Sequence, residues 1–207
     1  MVASVSLTTW VNANEITIAA LGDSLTQGYG LPAEQGFVPQ LQAWLLAQDA
    51  AATLINAGVS GDTTAGGAAR IGWTLSPNVD ALIVTLGGND ILRGIDPAVA
   101  RANLDAILRE AARQDVPVLL SGMRAPANYG ENYQAAFNAI YPELSQAYEA
   151  LLYPDFLAAI TQGRSQQEAL AQFMQPDGIH PNAAGVAQVV KSIGPRVLDL
   201  IARASTN

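Results

Sequence analysis

The sequence has no cysteine, one histidine (His180) and one lysine (Lys191). Without thiols there is no disulfide framework, and no thiolate site for zinc, iron or nucleophilic chemistry. One imidazole cannot build a multi-histidine metal centre, so any reaction that needs an imidazole base must use His180. One lysine leaves little room for Schiff-base chemistry or for a polybasic membrane patch. Positive charge is scarce throughout. Ten Lys and Arg stand against eighteen Asp and Glu, a formal net charge of -8, and no basic residue precedes Arg70. A nucleic-acid partner would need a positive stripe along its phosphates, and this chain offers none. No apolar run approaches the ~20 residues of a spanning helix, so no stable membrane insertion is expected.

What remains is an ordinary globular composition: 207 residues, half of them hydrophobic, with 18 Gly and 11 Pro. That length is ample for one core and suggests one domain. Residues 1–14 read as an N-terminal tail or leader remnant, with the domain over 15–207. Val11-Asn12-Ala13 has small residues where a processed leader would end. The positive flank of a signal segment is missing, which favours a tail.

Apolar runs bounded by turn residues predict buried strands over residues 16–21, 53–57, 80–86, 116–121 and 151–153. Apolar spacing at helical period predicts helices over 37–48, 64–73 and 97–114. Asp96 is the expected cap of the third of these and Pro97 its first residue. Two more helical stretches are expected, 130–151, broken or restarted at Pro142, and 182–201, interrupted or kinked near Pro195. Alternation of strands and long helices implies βαβ units, hence a single three-layer α/β/α domain on a mainly parallel sheet of about five strands. Ligands of such sheets lie beyond the carboxyl ends of the strands. The polar signals fall there: Asp23-Ser24 after the first strand, Gly58-Val59-Ser60-Gly61-Asp62 after the second, Gly88-Asn89-Asp90 after the third.

His180 lies in Pro176-Asp177-Gly178-Ile179-His180-Pro181-Asn182, a turn-rich loop ahead of a helix. Asp177, three residues earlier, is spaced to meet one ring nitrogen and leave the other as a base. The same spacing also fits a surface histidine beside a turn-forming aspartate. Ser24 follows a buried strand at Gly22-Asp23-Ser24-Leu25-Thr26. A short helix starting there would present the hydroxyl beside free backbone N–H groups. Asp23 or Ser24 as a plain helix cap fits that segment equally well.

Four blocks in this order and spacing resemble the SGNH hydrolases, or GDSL esterases and lipases, and in particular the bacterial thioesterase/lysophospholipase and arylesterase branch. They are Gly22-Asp23-Ser24-Leu25-Thr26, Asn56-Ala57-Gly58-Val59-Ser60-Gly61-Asp62-Thr63, Leu86-Gly87-Gly88-Asn89-Asp90 and Asp177-Gly178-Ile179-His180-Pro181-Asn182. Further similarity lies at Arg124-Ala125-Pro126-Ala127-Asn128-Tyr129-Gly130 and over 137–142. The resemblance implies Ser24 as nucleophile, His180 as base and Asp177 as its orienting acid. Its oxyanion hole would be the N–H groups of Ser24 and Gly58 with the side-chain amide of Asn89. Asp23, Asp62 and Asp90 become structural supports, the last two tying loops together through backbone hydrogen bonds, with Arg93 either joining them or facing solvent. Gly88, Met123, Arg124, Pro126 and Tyr129 become candidate substrate contacts, with residues 90–96 forming part of an acyl groove. The activity implied is hydrolysis of small-molecule or lipid-like esters or thioesters through an acyl-enzyme, with no cofactor and no metal. It also suggests a periplasmic or secreted setting, and a monomer is the default expectation.

Rival readings stay on the page. An ordinary α/β-hydrolase would need Gly-x-Ser-x-Gly, but Thr26 stands at the last position. A two-metal phosphoesterase would draw on Asp23, Asp62, Asn89 and Asp90, yet such sites usually recruit several imidazoles. A nucleotide-binding module lacks both a Gly-x-Gly-x-x-Gly run and a Walker lysine. A carbohydrate O-deacetylase would differ only in the acyl group and its carrier. A non-catalytic binding protein would be expected to have lost Ser24, Asn89 or His180, and all three are present.

Overall fold

β-Branched and leucine-rich runs form strands here because both of their faces are covered. Val, Ile and Leu at successive positions then bury equally well. A computed structural model describes residues 15–76 and 78–206. In chain order the elements are β1 (Ile16–Gly22), α1 (Ser24–Gln27), α2 (Phe37–Leu46), β2 (Ala52–Gly58), α3 (Thr64–Thr74), β3 (Ala81–Thr85) and α4 (Gly88–Leu92). There follow α5 (Pro97–Arg113), β4 (Val118–Ser121), α6 (Glu131–Ala147), β5 (Leu151–Tyr153), α7 (Ala158–Thr161), α8 (Gln166–Phe173) and α9 (Ala183–Ala204). The N-terminal tail or leader remnant expected over 1–14 lies outside the described residues. Among those residues no helix is long and apolar enough to cross a membrane.

The five strands pair in the order β2-β1-β3-β4-β5, all parallel. α2 packs with α9 on one face, and α3, α5 and α6 pack in sequence on the other. Phe37, Leu41 and Leu45 of α2 and Val189, Ile193, Val197 and Leu200 of α9 are buried against the sheet. The register matters most for the site. Gly22 pairs with Gly58 on one side and with Thr85 on the other, and Thr85 pairs with Ser121. The carboxyl ends of β1, β2 and β3 are therefore level, and the order in which strands are added to the sheet reverses between β1 and β3. That is the switch point where open α/β sheets hold their ligands.

Two expectations are corrected. Pro142 does not break α6, nor does Pro195 interrupt α9; both helices run through their proline. An internal proline costs about 3 kcal/mol. In α6 the burial of Phe137, Ile140, Tyr141 and Leu144, at roughly 1.5–3 kcal/mol per large side chain, more than offsets that cost. In α9 the residues flanking Pro195, Ile193 and Val197, are likewise buried. The second correction is an omission. α7 and α8 fill a stretch between β5 and the His180 loop where the apolar periodicity is too weak to predict helices. One signal was legible: Ser165 and Glu168 form a reciprocal capping box at the start of α8.

Candidate active site

Gly22 ends β1 where a side chain cannot fit, since a Cβ there would lie 2.0 Å from Thr26 Oγ1 and 2.9 Å from the Thr85 carbonyl. The chain can therefore turn directly into α1. Asp23 caps that helix, its Oδ1 accepting from Leu25 N at 3.0 Å. Ser24 is the first helical residue, and its N–H has no acceptor among the described residues. Both readings of Asp23-Ser24 thus hold at once: the aspartate is the cap, and the serine hydroxyl is free to face the strand ends.

His180 reaches the same point from the far end of the chain. An antiparallel bridge between Met174 and Pro181 closes its loop, and Gly178 at φ 67° makes the turn. Inside the loop, Asp177 Oδ1 accepts from the backbone N–H groups of Ile179 at 2.9 Å and His180 at 3.0 Å. Asp177 Oδ2 meets His180 Nδ1 at 2.7 Å, and His180 Nε2 meets Ser24 Oγ at 2.9 Å. The His180 ring contact, followed by its backbone N–H and that of Ile179, holds the Asp177 carboxyl down to about 2. Asp177 is therefore an anion at neutral pH. With Nδ1–H donated to Asp177, Nε2 carries the lone pair and accepts from the serine hydroxyl.

Asn89, in the first turn of α4, donates Nδ2 to the Asp62 carbonyl at 3.0 Å and, more loosely, to Asp23 Oδ2 at 3.3 Å. Asp23 is 1% exposed. Burial pushes its carboxyl up to about 6, against the opposing hydrogen bonds from Leu25 N–H and the Asn89 amide and the weaker pull of His180. Asp90 is fully buried and accepts from Thr64 N at 2.8 Å and Thr64 Oγ1 at 2.6 Å, tying α4 to the start of α3.

Gly58 departs from expectation. Its N–H is already donated to Asn56 Oδ1 at 3.0 Å, and a Cβ on it would lie 2.3 Å from Gln27 N. Gly58 packs against the backbone of α1 and does not line the cavity. Ser60 and Gly61, a little further along the same loop, do line it. Gly61 sits at φ 84°, and its N–H makes no hydrogen bond among the described residues. Asp62 departs too, because the partner of its carboxylate is a side chain. Arg70 Nε binds Asp62 Oδ2 at 2.8 Å, Nη1 the Ala57 carbonyl at 2.7 Å and Nη2 the Gly22 carbonyl at 2.9 Å. One guanidinium thus joins the ends of β1 and β2 to the Gly61-Asp62 turn. Sequence reasoning passed over Arg70, and its only signal was that it is the first cation in the chain. Arg93 adds a 2.8 Å bond to the Gly61 carbonyl.

The cavity beside Ser24 and His180 has a volume of about 660 Å³, in the range of small-molecule sites. Gly88, Met123, Arg124 and Pro126 line it, as do Ile91 and Leu92 of the expected groove segment. Leu157, Thr161, Met174 and Ile179, from the unforeseen helical stretch and the His180 loop, complete the wall. Tyr129 does not line it; its ring stacks on Tyr133 at 5.1 Å. Among the described residues no three acidic or histidine side chains converge to hold a metal ion. Asp62 and Asp90 are taken up by Arg70 and Thr64.

Comparison with known proteins adds a separate line. A profile of the GDSL-like lipase/acylhydrolase family matches residues 20–188. Esterase TesA of Pseudomonas aeruginosa is 36% identical over 186 residues, 89% of this chain and 89% of that protein. Thioesterase 1/protease 1/lysophospholipase L1 of Escherichia coli is 37% identical over 168 residues, 80% of this chain and 76% of that protein. Among solved structures, TesA superposes with a TM-score of 0.80 at 34% identity, covering 89% of this chain and 99% of that one. AlinE4, an SGNH-hydrolase family esterase, does so with a TM-score of 0.72 at 44% identity, covering 89% and 96%.

Proposed function

The chain belongs to the GDSL-like lipase/acylhydrolase family and is a carboxylic-ester hydrolase, and on that premise we propose the roles of its residues. Ser24 attacks the carbonyl carbon while His180 Nε2 takes the hydroxyl proton, and Asp177 holds the ring and stabilises the imidazolium. The tetrahedral oxyanion is received by the N–H groups of Ser24 and Gly61 and by the Asn89 amide. Gly61 replaces Gly58 in this role because the Gly58 hydrogen is committed to Asn56. The Asn89 hydrogen held at 3.3 Å by Asp23 is the looser of its two and is the one available to developing charge. His180 then protonates the departing alcohol or thiol, and a water repeats the sequence on the acyl-enzyme. The observation that carries the reading is the relay from Asp177 to His180 to Ser24, at 2.7 and 2.9 Å.

The substrates are aryl and short-to-medium acyl esters, extending to thioesters and lysophospholipids. The apolar wall of Ile91, Leu92, Met123, Leu157 and Ile179 supports an acyl chain. Asp177, His180 and Ser24 meet within a single chain, so the proposed mechanism needs no second copy, and the catalytic unit is residues 15–207. The test is a fluorophosphonate probe with peptide mass spectrometry, beside hydrolysis of an activated aryl ester. Labelling at Ser24, with loss of label and turnover in Ser24→Ala and loss of turnover in His180→Ala, is the expected result. Near-normal turnover in either variant would overturn the mechanism.

A further inference from the structure

The nucleophile and its base are 156 residues apart in sequence. Asp177 orients the His180 ring, but it belongs to the same turn and cannot anchor that turn to the strand ends that carry Ser24. One side chain does so. Gln175 donates Nε2 to the Tyr29 carbonyl at 2.8 Å and to the Pro181 carbonyl at 3.0 Å. Its backbone N–H donates to the His180 carbonyl at 2.7 Å, and its own carbonyl accepts from Gly178 N at 2.9 Å. Gly30, at φ 75°, makes room for it, since a Cβ there would lie 2.2 Å from Gln175 Oε1. The link continues to the nucleophile: Tyr29 N donates to the Ser24 carbonyl at 3.1 Å, and the Tyr29 ring lies 4.7 Å from the imidazole. Apart from the Ser24–His180 contact itself, the other polar tie between these regions among the described residues, Gln40 Nε2 to the Ala183 carbonyl at 3.1 Å, falls beyond the loop at the start of α9.

We propose that Gln175 is a positioning residue, which sets the distance between Ser24 and His180 by clasping the loop after α1 to the loop before α9. The chemistry selects a carboxamide. Both acceptors are carbonyls, so the side chain must supply two N–H groups. Glutamate has the same shape but, when ionised, turns acceptor oxygens toward both. Because Asp177 and His180 are joined within their own turn, loss of the clasp displaces the pair as a unit and leaves their contact intact.

This rests on the roles proposed for Ser24 and His180, so Ser24→Ala is measured alongside. Gln175→Leu and Gln175→Glu are compared with the wild type for aryl-ester kcat and KM at pH 7. The low-field Nδ1 proton of the single imidazole is followed by NMR. Both variants are expected to lose kcat by roughly 10- to 100-fold, the penalty of a reacting group displaced by about 1 Å. KM should stay within about twofold of wild type, as expected when ground-state binding is untouched, and the Nδ1 proton should persist. A glutamate variant with wild-type kcat would overturn the proposal, since shape alone would then suffice. So would a loss confined to KM, or disappearance of the Nδ1 proton, which would make Gln175 a support of the loop fold only. If the leucine variant does not melt cooperatively, the isosteric glutamate variant decides. Turnover surviving in Ser24→Ala would instead sink the site assignment itself.

Discussion

Replacing Asp23 by asparagine removes one buried charge while keeping the side chain's shape and its capping oxygen for Leu25 N. Burial raises the Asp23 carboxyl from 3.8 to about 6 in the folded protein. A folded value above the unfolded one means that the native state binds the proton more tightly. The resulting stabilisation is complete below pH 3.8 and is lost as pH rises through about 6, leaving a destabilising charge at neutral pH. The full span is about 3 kcal/mol, and about 2–3 kcal/mol of it falls between pH 4 and pH 7. The substituted amide has no proton to lose. It would also turn its own N–H groups toward the Asn89 amide, now 3.3 Å from Asp23 Oδ2, and that cost is the same at both pH values. Urea unfolding of both proteins at pH 4 and pH 7 isolates the charge as a difference of differences. The variant should gain about 2–3 kcal/mol on the wild type over this interval, whatever its offset. A gap that stays constant between the two pH values would refute the claim that Asp23 is charged at a cost.

Asn89→Ala is expected to lower kcat by roughly 10²–10³-fold with KM little changed, the usual cost of one oxyanion donor. A loss seen only in KM would make Asn89 a substrate contact. Asp177→Asn should reduce turnover by about 10³–10⁴-fold, because an amide can donate to Nδ1 and stabilise the wrong tautomer. A loss under tenfold would remove Asp177 from the relay. Across esters of increasing acyl length, kcat/KM should rise by roughly fourfold per methylene while the chain is being buried, at ~0.8 kcal/mol per CH₂. Leu157→Trp should shorten the optimal chain, and an unchanged chain-length profile would show that the acyl group lies elsewhere.

Much of the fold was legible because its causes are local. Runs such as Ile83-Val84 and Leu119-Leu120 bury on both faces, Asp96 and Pro97 start a helix by their own backbone preferences, and the amphipathic stripes select helices. The two prolines misled because α6 and α9 gain more from burial than each loses in one hydrogen bond. α7 and α8 escaped notice because short helices with weak periodicity depend on what they pack against.

The sequence by itself determined the supply of chemistry. With one imidazole and no thiol, any imidazole base must be His180. The three-residue step from Asp177 to His180 permits their contact within a single turn, and the folded loop makes it at 2.7 Å. Which glycine keeps an N–H at the cavity unpaired among the described residues, and which side chains bridge the loops around it, were decided by tertiary structure. Gly58 and Gly61 stand three residues apart, but Asn56 and the α1 backbone occupy the first, while the second turns at φ 84° to face the cavity. Arg70 and Gln175 carry no mark of function in the chain. Their partners lie 48 and 146 residues away at Gly22 and Tyr29. The first contact exists only once the parallel register brings the ends of β1 and β2 level, and the second only once α9 packs on α2.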